Sequence, residues 1–183
     1  MSVRLPRTLR LDPSDTFVFP RAAEPGEWAV TGSFLFLDVE TTGLSPKDRA
    51  AFRSGFVGVR SLGFSTLVVV SEATASEHAE AVEDLAGHIH ERFGAPDRES
   101  ARAAAREELD VSASLCNLPV GTVVAMHRAE RDGSIREEFR SLHRRPGSDV
   151  LHGRAFHFAE VDEDAPEERV HLVGLIHDTR SGG

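Results

Sequence analysis

The sequence is poor in cysteine and has no long hydrophobic run. Its single cysteine, Cys116, excludes an intramolecular disulfide and a metal site built from several cysteines. Apolar runs such as residues 67–70 are far shorter than the roughly 20 residues of a membrane-spanning helix. The first residues, MSVRLPRTLRLDPSD, include basic side chains with no apolar stretch behind them, so no secretory signal is expected. These absences predict a cytoplasmic protein with no membrane partner.

Positive charge is also in short supply. Lysine and arginine number 21 against 30 aspartates and glutamates, which gives a formal net charge of −9. A domain that binds nucleic acid by neutralising phosphates needs the opposite balance. The charge still permits an enzyme that meets phosphates through bound divalent metal ions, because such ions reverse the local field. Nucleic acid is therefore not an expected partner, although metal-dependent phosphoryl chemistry stays open.

The length and pattern of the chain indicate one mixed domain. With 183 residues and 40% hydrophobic content, residues 1–183 suit a single core with flexible ends near 1–5 and 179–183. Asp132-Gly133 predicts a hairpin and Gly63 a turn. Strands are predicted within residues 16–19, 28–38, 56–70, 121–130, 134–142, 154–161 and 170–177. Because strands come in runs and the two main helices are grouped mid-chain, we predict an α+β fold with a mostly antiparallel sheet.

Capping residues predict where the helices begin. Ser45-Pro46 predicts a short helix that ends at Gly55. Thr74 and Glu77 form a capping-box pattern at the start of a long helix that ends before Gly94. That helix should pack on the sheet through Val82, Leu85, Ala86, Ile89 and Phe93. A second long helix, capped by Asp97, should pack through Ala101, Ala105, Leu109 and Cys116.

The stretch FLFLDVETTGLSP, residues 34–46, carries two carboxylates two positions apart. On a strand, Asp38 and Glu40 would point to the same face, as two-metal phosphoryl chemistry requires. Residues 38–44 resemble the first motif of the proofreading-type 3′-to-5′ exonucleases, in which an Asp-x-Glu pair holds two metal ions. That resemblance implies metal-dependent exonuclease or phosphodiesterase chemistry at Asp38 and Glu40.

The remaining motifs of that family are missing. Nothing matches its third acidic motif, and Asp84, Asp110 and Asp149 stand in unsuitable contexts. The stretch from His127 to Asp132 superficially matches the fourth motif of that family. In the family this motif lies on a helix, but here it ends at a predicted hairpin turn. Short motifs match by chance often. We therefore interpret residues 38–43 as a strand end that leaves the sheet through a polar turn, and we predict no catalytic metal pair there.

The other chemistry-bearing residues form no recognisable site. His88 and His90 are two apart on a helix, which points their side chains about 200° apart. His157, His171 and His177 lie on neighbouring predicted strands, where hydrogen-bonded or solvent-facing histidines are more common than a metal site. Cys116 has no activating neighbour in sequence and fits a buried small residue at a helix end. No cofactor-binding or metal-binding residue is therefore assigned.

Several blocks of sequence are familiar together: LPRTLRLDPSDTFVF, AEPGEW, FRSGFVGVRSLGFSTLV, SLCNLPVGTVVAMHR and RAFHFAEV. Over nearly its full length the chain resembles a family of small uncharacterised bacterial proteins with no assigned activity. The resemblance implies a bacterial cytoplasmic protein and supplies no catalytic residues. The blocks do not include the Asp38 and Glu40 turn.

These observations favour a non-catalytic binding or accessory module that self-associates. The alternative is the metal-dependent exonuclease or phosphodiesterase that uses Asp38 and Glu40. The predicted strands at 154–161 and 170–177 are apolar on both faces, and two helices cannot cover so much apolar surface. We therefore expect a homodimer with this region in its interface, and a further protein partner stays open.

Overall fold

The computed structural model describes residues 2–142, within which two antiparallel sheets are flanked by helices. The helices are α1 (Ser14–Val18), α2 (Pro46–Ser54), α3 (Ala75–Arg92) and α4 (Arg98–Ser114), with short 3-10 helices at Ser33–Phe36 and Thr41–Gly43. The strands are β1 (Val3–Leu9), β2 (Ala29–Val30), β3 (Phe56–Gly58), β4 (Phe64–Ser65), β5 (Leu67–Ala73), β6 (Val123–Arg131) and β7 (Ser134–Leu142). None of the described helices is both long and apolar enough to cross a membrane.

The larger sheet has the strand order β1-β5-β6-β7, and the smaller one has the order β2-β3-β4. Every pairing is antiparallel among the described strands. The predicted α+β class with a mostly antiparallel sheet is therefore confirmed. Asp132 and Gly133 form the turn between β6 and β7, as predicted, and both have positive φ. Gly63 lies in the turn between β3 and β4.

The two long helices begin where the capping residues predicted. Thr74 and Glu77 form a complete capping box at α3, and the Asp97 side chain accepts a hydrogen bond from the Ser100 amide at α4. Their inward faces share one apolar core with the sheets. Its helical members are Ala81, Val82, Leu85, Ala86, Ile89, Ala101, Ala105 and Leu109.

Phe93 is a correction to the predicted stripe. Its side chain is 43% exposed, because α3 ends at Arg92 and Phe93 is the C-cap residue with φ −116°. Outside the helix, the side chain no longer continues the buried stripe. Its ring instead meets the Phe34 ring edge to face, with centroids 5.5 Å apart.

Helix α2 starts at the predicted cap, where the Ser45 hydroxyl accepts a hydrogen bond from the Asp48 amide, and it ends at Gly55. It packs on a second, phenylalanine-rich cluster. The rings of Phe36 and Phe52 meet edge to face at 5.3 Å, while Phe64 lies 5.8 Å from Phe19 and 6.2 Å from Phe36. We call these four rings the phenylalanine cluster.

One predicted strand is wrong and another is much shorter than predicted. Residues 16–19 mostly form α1, whose first turn is set by the Asp12 carboxylate accepting from the Ser14 amide and by Asp15 accepting from Thr66. The strand predicted at 28–38 stops after Val30, because Gly32 adopts a left-handed conformation at φ +83°. A Cβ at Gly32 would lie 2.2 Å from Val57 Cγ2, so only glycine fits at this position.

The ends of the chain also differ from expectation where they are described. Residues 3–5, within the stretch predicted to be flexible, belong to β1 and pair with β5, and Leu5 is fully buried. The stretches 154–161, 170–177 and 179–183 lie outside the described residues.

Candidate functional site

Arg128 is the most unusual side chain in the described part of the chain. Along β6 the inward positions are Val124, Met126 and Arg128, so an arginine occupies a place where strand alternation expects an apolar residue. It is fully buried. A buried charge costs free energy unless it is paired and hydrogen-bonded. The partners of Arg128 therefore determine whether this region is stable.

The partners of Arg128 come from three neighbouring elements. Glu137 lies directly opposite on β7 and accepts from Nε at 2.9 Å. Nη1 donates to the Phe52 carbonyl at 2.8 Å, and Nη2 donates to the Thr31 carbonyl. The last carbonyls of a helix lack partners within the helix and carry partial negative charge, so a cation at Phe52 suits the end of α2. The guanidinium thus joins β6 and β7 to α2 and to the residue after β2.

A second hydrogen-bonded path reaches the same place from α4. The Thr31 amide donates to the Ser112 hydroxyl at 3.2 Å, and that hydroxyl donates to the Glu108 carbonyl at 2.9 Å. Ser112 and Thr31 are both fully buried. Among the described residues, the Thr31 hydroxyl oxygen has no hydrogen-bond partner. We call Thr31, Glu108, Ser112, Arg128 and Glu137 the polar joint.

The two carboxyl groups of the polar joint, those of Glu108 and Glu137, have raised pKa values because burial disfavours their ionised forms. Burial raises the pKa of Glu137, and the bound Arg128 guanidinium works against that shift. Burial, followed by the nearby Glu137 charge, raises the pKa of Glu108 to about 7. Burial lowers the pKa of Arg128, but a guanidinium stays protonated in proteins. Glu137 accepts a hydrogen bond from the guanidinium, whereas Arg128 acts on the pKa of Glu108 through its charge alone.

A second buried carboxylate, Glu27, has its hydrogen bonds filled. It accepts from the backbone amides of Glu24, Arg60 and Ser61 and from the Ser61 hydroxyl, at 2.7–3.0 Å. The side chain fixes the turn between β3 and β4 from within the protein. We assign it a structural role, since its oxygens are fully occupied by that turn.

The two carboxylates of the exonuclease-like motif do not lie on a strand. Asp38 sits in an exposed turn after the first 3-10 helix, and Glu40 is the exposed residue before the second one. The Glu40 carboxylate accepts from the Thr42 hydroxyl at 3.0 Å. The expectation that a strand directs both side chains to one face is therefore wrong, while the polar turn predicted for this segment is present.

The remaining sequence candidates are also placed. Cys116 is buried, as predicted, and burial raises its thiol pKa to about 12. His88 bonds to the Arg60 carbonyl at 2.8 Å, while His127 lies exposed on β6. Within residues 2–142 no group of three histidine, cysteine, aspartate or glutamate residues is arranged to hold a metal ion. His157, His171 and His177 lie outside the described residues.

Apolar side chains reach solvent beside the phenylalanine cluster. Val18 precedes the buried Phe19, and Leu37 follows the buried Phe36, so both surface segments are held to the same cluster. The exposed fractions are 71% for Phe17, 44% for Val18, 69% for Leu37 and 40% for Val39. We call these four residues the apolar surface. This surface was not predicted, because Phe17, Val18 and Leu37 were expected inside strands.

Comparison with known proteins identifies a family and nothing closer. No curated protein and no solved structure matches the chain. A family model described as a family of unknown function, DUF6505, matches residues 2–163. Since that match spans most of the 183 residues, the chain belongs to this family of unknown function, as its resemblance to uncharacterised proteins predicted.

Proposed function

We propose that this protein is a binding module without chemistry of its own and that it self-associates as a homodimer through the apolar surface. The proposal keeps the accessory role and cytoplasmic location predicted from the sequence. The observation that carries it is the exposure of Phe17 and Leu37, two large apolar side chains within two residues of Phe19 and Phe36, which belong to one buried aromatic cluster. Single exposed apolar residues are ordinary, but grouped ones mark association sites.

A homodimer is the simplest partner for such a surface. Two-fold symmetry lets one patch meet its own copy, and two-fold dimers are the commonest oligomers. Aromatic residues are also enriched in the centres of interfaces. The predicted strands at 154–161 and 170–177, which were expected to contribute to the dimer interface, lie outside the described residues. The apolar surface is therefore an independent argument for the same assembly.

Sedimentation velocity at micromolar concentration tests the proposal. The wild-type chain of 20.0 kDa should sediment as a dimer. The double variant Phe17→Ser/Leu37→Ser should sediment as a monomer, because it removes the two most exposed members of the apolar surface. Both side chains are mostly solvent-exposed, so the fold should survive, and a thermal melt verifies this.

Val120→Ser is the matched control. Val120 is 53% exposed, lies before β6 and does not belong to the phenylalanine cluster or the residues packed on it, so this variant should remain a dimer. A wild-type monomer would show that self-association is wrong. A dimer that persists in the double variant would show that the apolar surface is not its interface.

We propose further that Asp38 and Glu40 hold no catalytic metal pair. The support is their exposed placement on a turn, where no strand aligns them. Calorimetric titration with Mn²⁺ should therefore show no tight binding that depends on these carboxylates, and single-stranded DNA should remain intact. Tight binding that Asp38→Ala abolishes, together with DNA degradation, would establish the phosphodiesterase alternative instead.

A further inference from the structure

We propose that one face of the larger sheet is a docking site for residues 154–161 of the same chain, which bind it through the side chains of Phe156 and Phe158. This inference is independent of the proposed function, because the face shares no residue with the apolar surface. It assigns an intramolecular binding partner to a sheet face that the described helices leave open.

The larger sheet is apolar on both faces where β5 and β6 pair. Its inner face carries Val68 and Val124, which are buried in one cluster. Successive residues of a strand point to opposite faces, and residues in register share a face. The opposite face, which we call the outer face, therefore carries two rows of apolar side chains. These rows are Leu9, Leu67 and Ala125, and next to them Val69, Val123 and Leu142.

The described helices pack elsewhere on the sheets. Helices α3 and α4 share a cluster with Leu5 of β1 and with Val30 and Val57 of the smaller sheet. Helix α2 meets β6 on its inner face, at Arg128. All six outer-face residues are only partly buried, and none of them belongs to the three apolar clusters formed within residues 2–142. An apolar sheet face is ordinarily buried against another element, so the outer face needs a cover that these clusters do not supply.

The size of the outer face favours a short segment over a second copy of the chain. Its two rows lie about 7 Å apart and extend about 14 Å across the strands. With side-chain width included, this is an area on the order of 200 Å², whereas a stable complex buries roughly 800 Å² on each partner. An extended segment of about eight residues is roughly 26 Å long, so it can cross the whole outer face.

Residues 154–161 have the required position in the chain. Strand β7 ends at Leu142, which itself lies on the outer face, and residues 143–153 separate it from this segment. Those intervening residues can span up to roughly 35 Å, which exceeds the width of the sheet. The family match runs to residue 163, so it includes this segment but not residues 170–177.

Phe156 and Phe158 have the side chains that such a cover requires. In the predicted strand RAFHFAEV these two rings share one side. Ala125, the smallest outer-face residue, lies between Leu67 on β5 and Arg140 on β7, so it leaves space for a ring above it. Large side chains set against small ones interdigitate in packed layers. The opposite side of the segment stays available for the dimer contact expected there.

Nuclear Overhauser effects in the full-length wild-type chain test the docking directly. Contacts are expected between ring protons of Phe156 and Phe158 and methyl groups of Leu67, Val69 and Val123. A sample that mixes two differently labelled populations of the chain reports contacts between copies, and it should show none of these. Absence of the contacts in the first sample would overturn the proposal, as would their appearance in the mixed one.

Trypsin cleavage after Arg154 measures how firmly the segment is held, since cleavage follows the undocked fraction when docking is fast. Val123→Asp places a charge beneath the segment and should speed this cleavage about tenfold or more. His127→Asp is the matched control, because it adds the same charge at an exposed position of β6 on the same face, outside the two rows. Its cleavage rate should stay within about twofold of the wild type.

A double-mutant comparison ties the effect of Val123→Asp to the two rings. In the Phe156→Ser/Phe158→Ser background, cleavage should already be fast, and Val123→Asp should add nothing to it. Equal cleavage rates in Val123→Asp and His127→Asp would show that the segment does not dock on the outer face. Because the Overhauser measurement needs no variant, it decides the matter if Val123→Asp fails to fold.

Discussion

Within residues 2–142, helices are held to the sheets by an apolar joint and by the polar joint, which differ in chemistry. Helices α3 and α4 attach through an apolar interface that includes Leu85 and Leu109. Helix α2 attaches partly through the polar joint, where Arg128 reaches the carbonyl of Phe52. Truncating an apolar side chain costs stability in proportion to the volume removed. Removing one partner of a buried ion pair costs more, because the other charge is left buried without compensation. The comparison therefore predicts different responses to single substitutions.

The largest effect is expected at Arg128. Arg128→Ala leaves Glu137 buried without its cation and frees the carbonyls of Phe52 and Thr31, so it should reduce the free energy of unfolding by about 3–5 kcal/mol. Chemical denaturation at pH 7 measures this. The double variant Arg128→Met/Glu137→Leu removes both charges and should recover much of the loss, since paired apolar replacements are often neutral. A double variant as unstable as Arg128→Ala would show that the carbonyl contacts, and not the stranded charge, dominate.

A smaller effect is expected at Phe93. Phe93→Ala removes a half-exposed ring that contacts Phe34 edge to face, so it should reduce the free energy of unfolding by only about 1 kcal/mol. Leu85→Ala, at a fully buried position of the same helix, is the matched reference and should cost about 2–5 kcal/mol. Equal losses at the two positions would mean that Phe93 is buried and that the originally predicted stripe is right.

The helices of the apolar joint could be predicted from the sequence, whereas the residues of the polar joint could be predicted only in part. Helical spacing and the caps at Thr74 and Asp97 predicted α3 and α4, because these signals are local. The Asp132-Gly133 turn also determines the register of β6 and β7, which places Arg128 opposite Glu137. That pair could have been found by counting back from the turn. Its burial could not, since it depends on α2 and β2, which are distant in sequence.

The errors near the start of the chain have the same origin. Residues 16–19 and 28–38 are rich in aromatic and apolar side chains, which favour strands locally. Tertiary contacts of Asp15 with Thr66, and of Gly32 with Val57, set the backbone differently. The apolar surface and the true setting of Asp38 both follow from those distant contacts. The fold class could therefore be predicted from the sequence, but the candidate site could not.

The hydrogen bonds accepted by the Glu27 carboxylate limit which substitutions this part of the chain can tolerate. A side chain at Gly58 would place its Cβ 2.2 Å from the Glu27 carboxyl group, and Glu27 in turn holds the amides of Arg60 and Ser61. Neither position can change first without breaking the turn between β3 and β4. Substitutions at 27 and 58 should therefore appear together or not at all among relatives, and a distant member of the family would be recognised more reliably by this pair than by the acidic turn at Asp38.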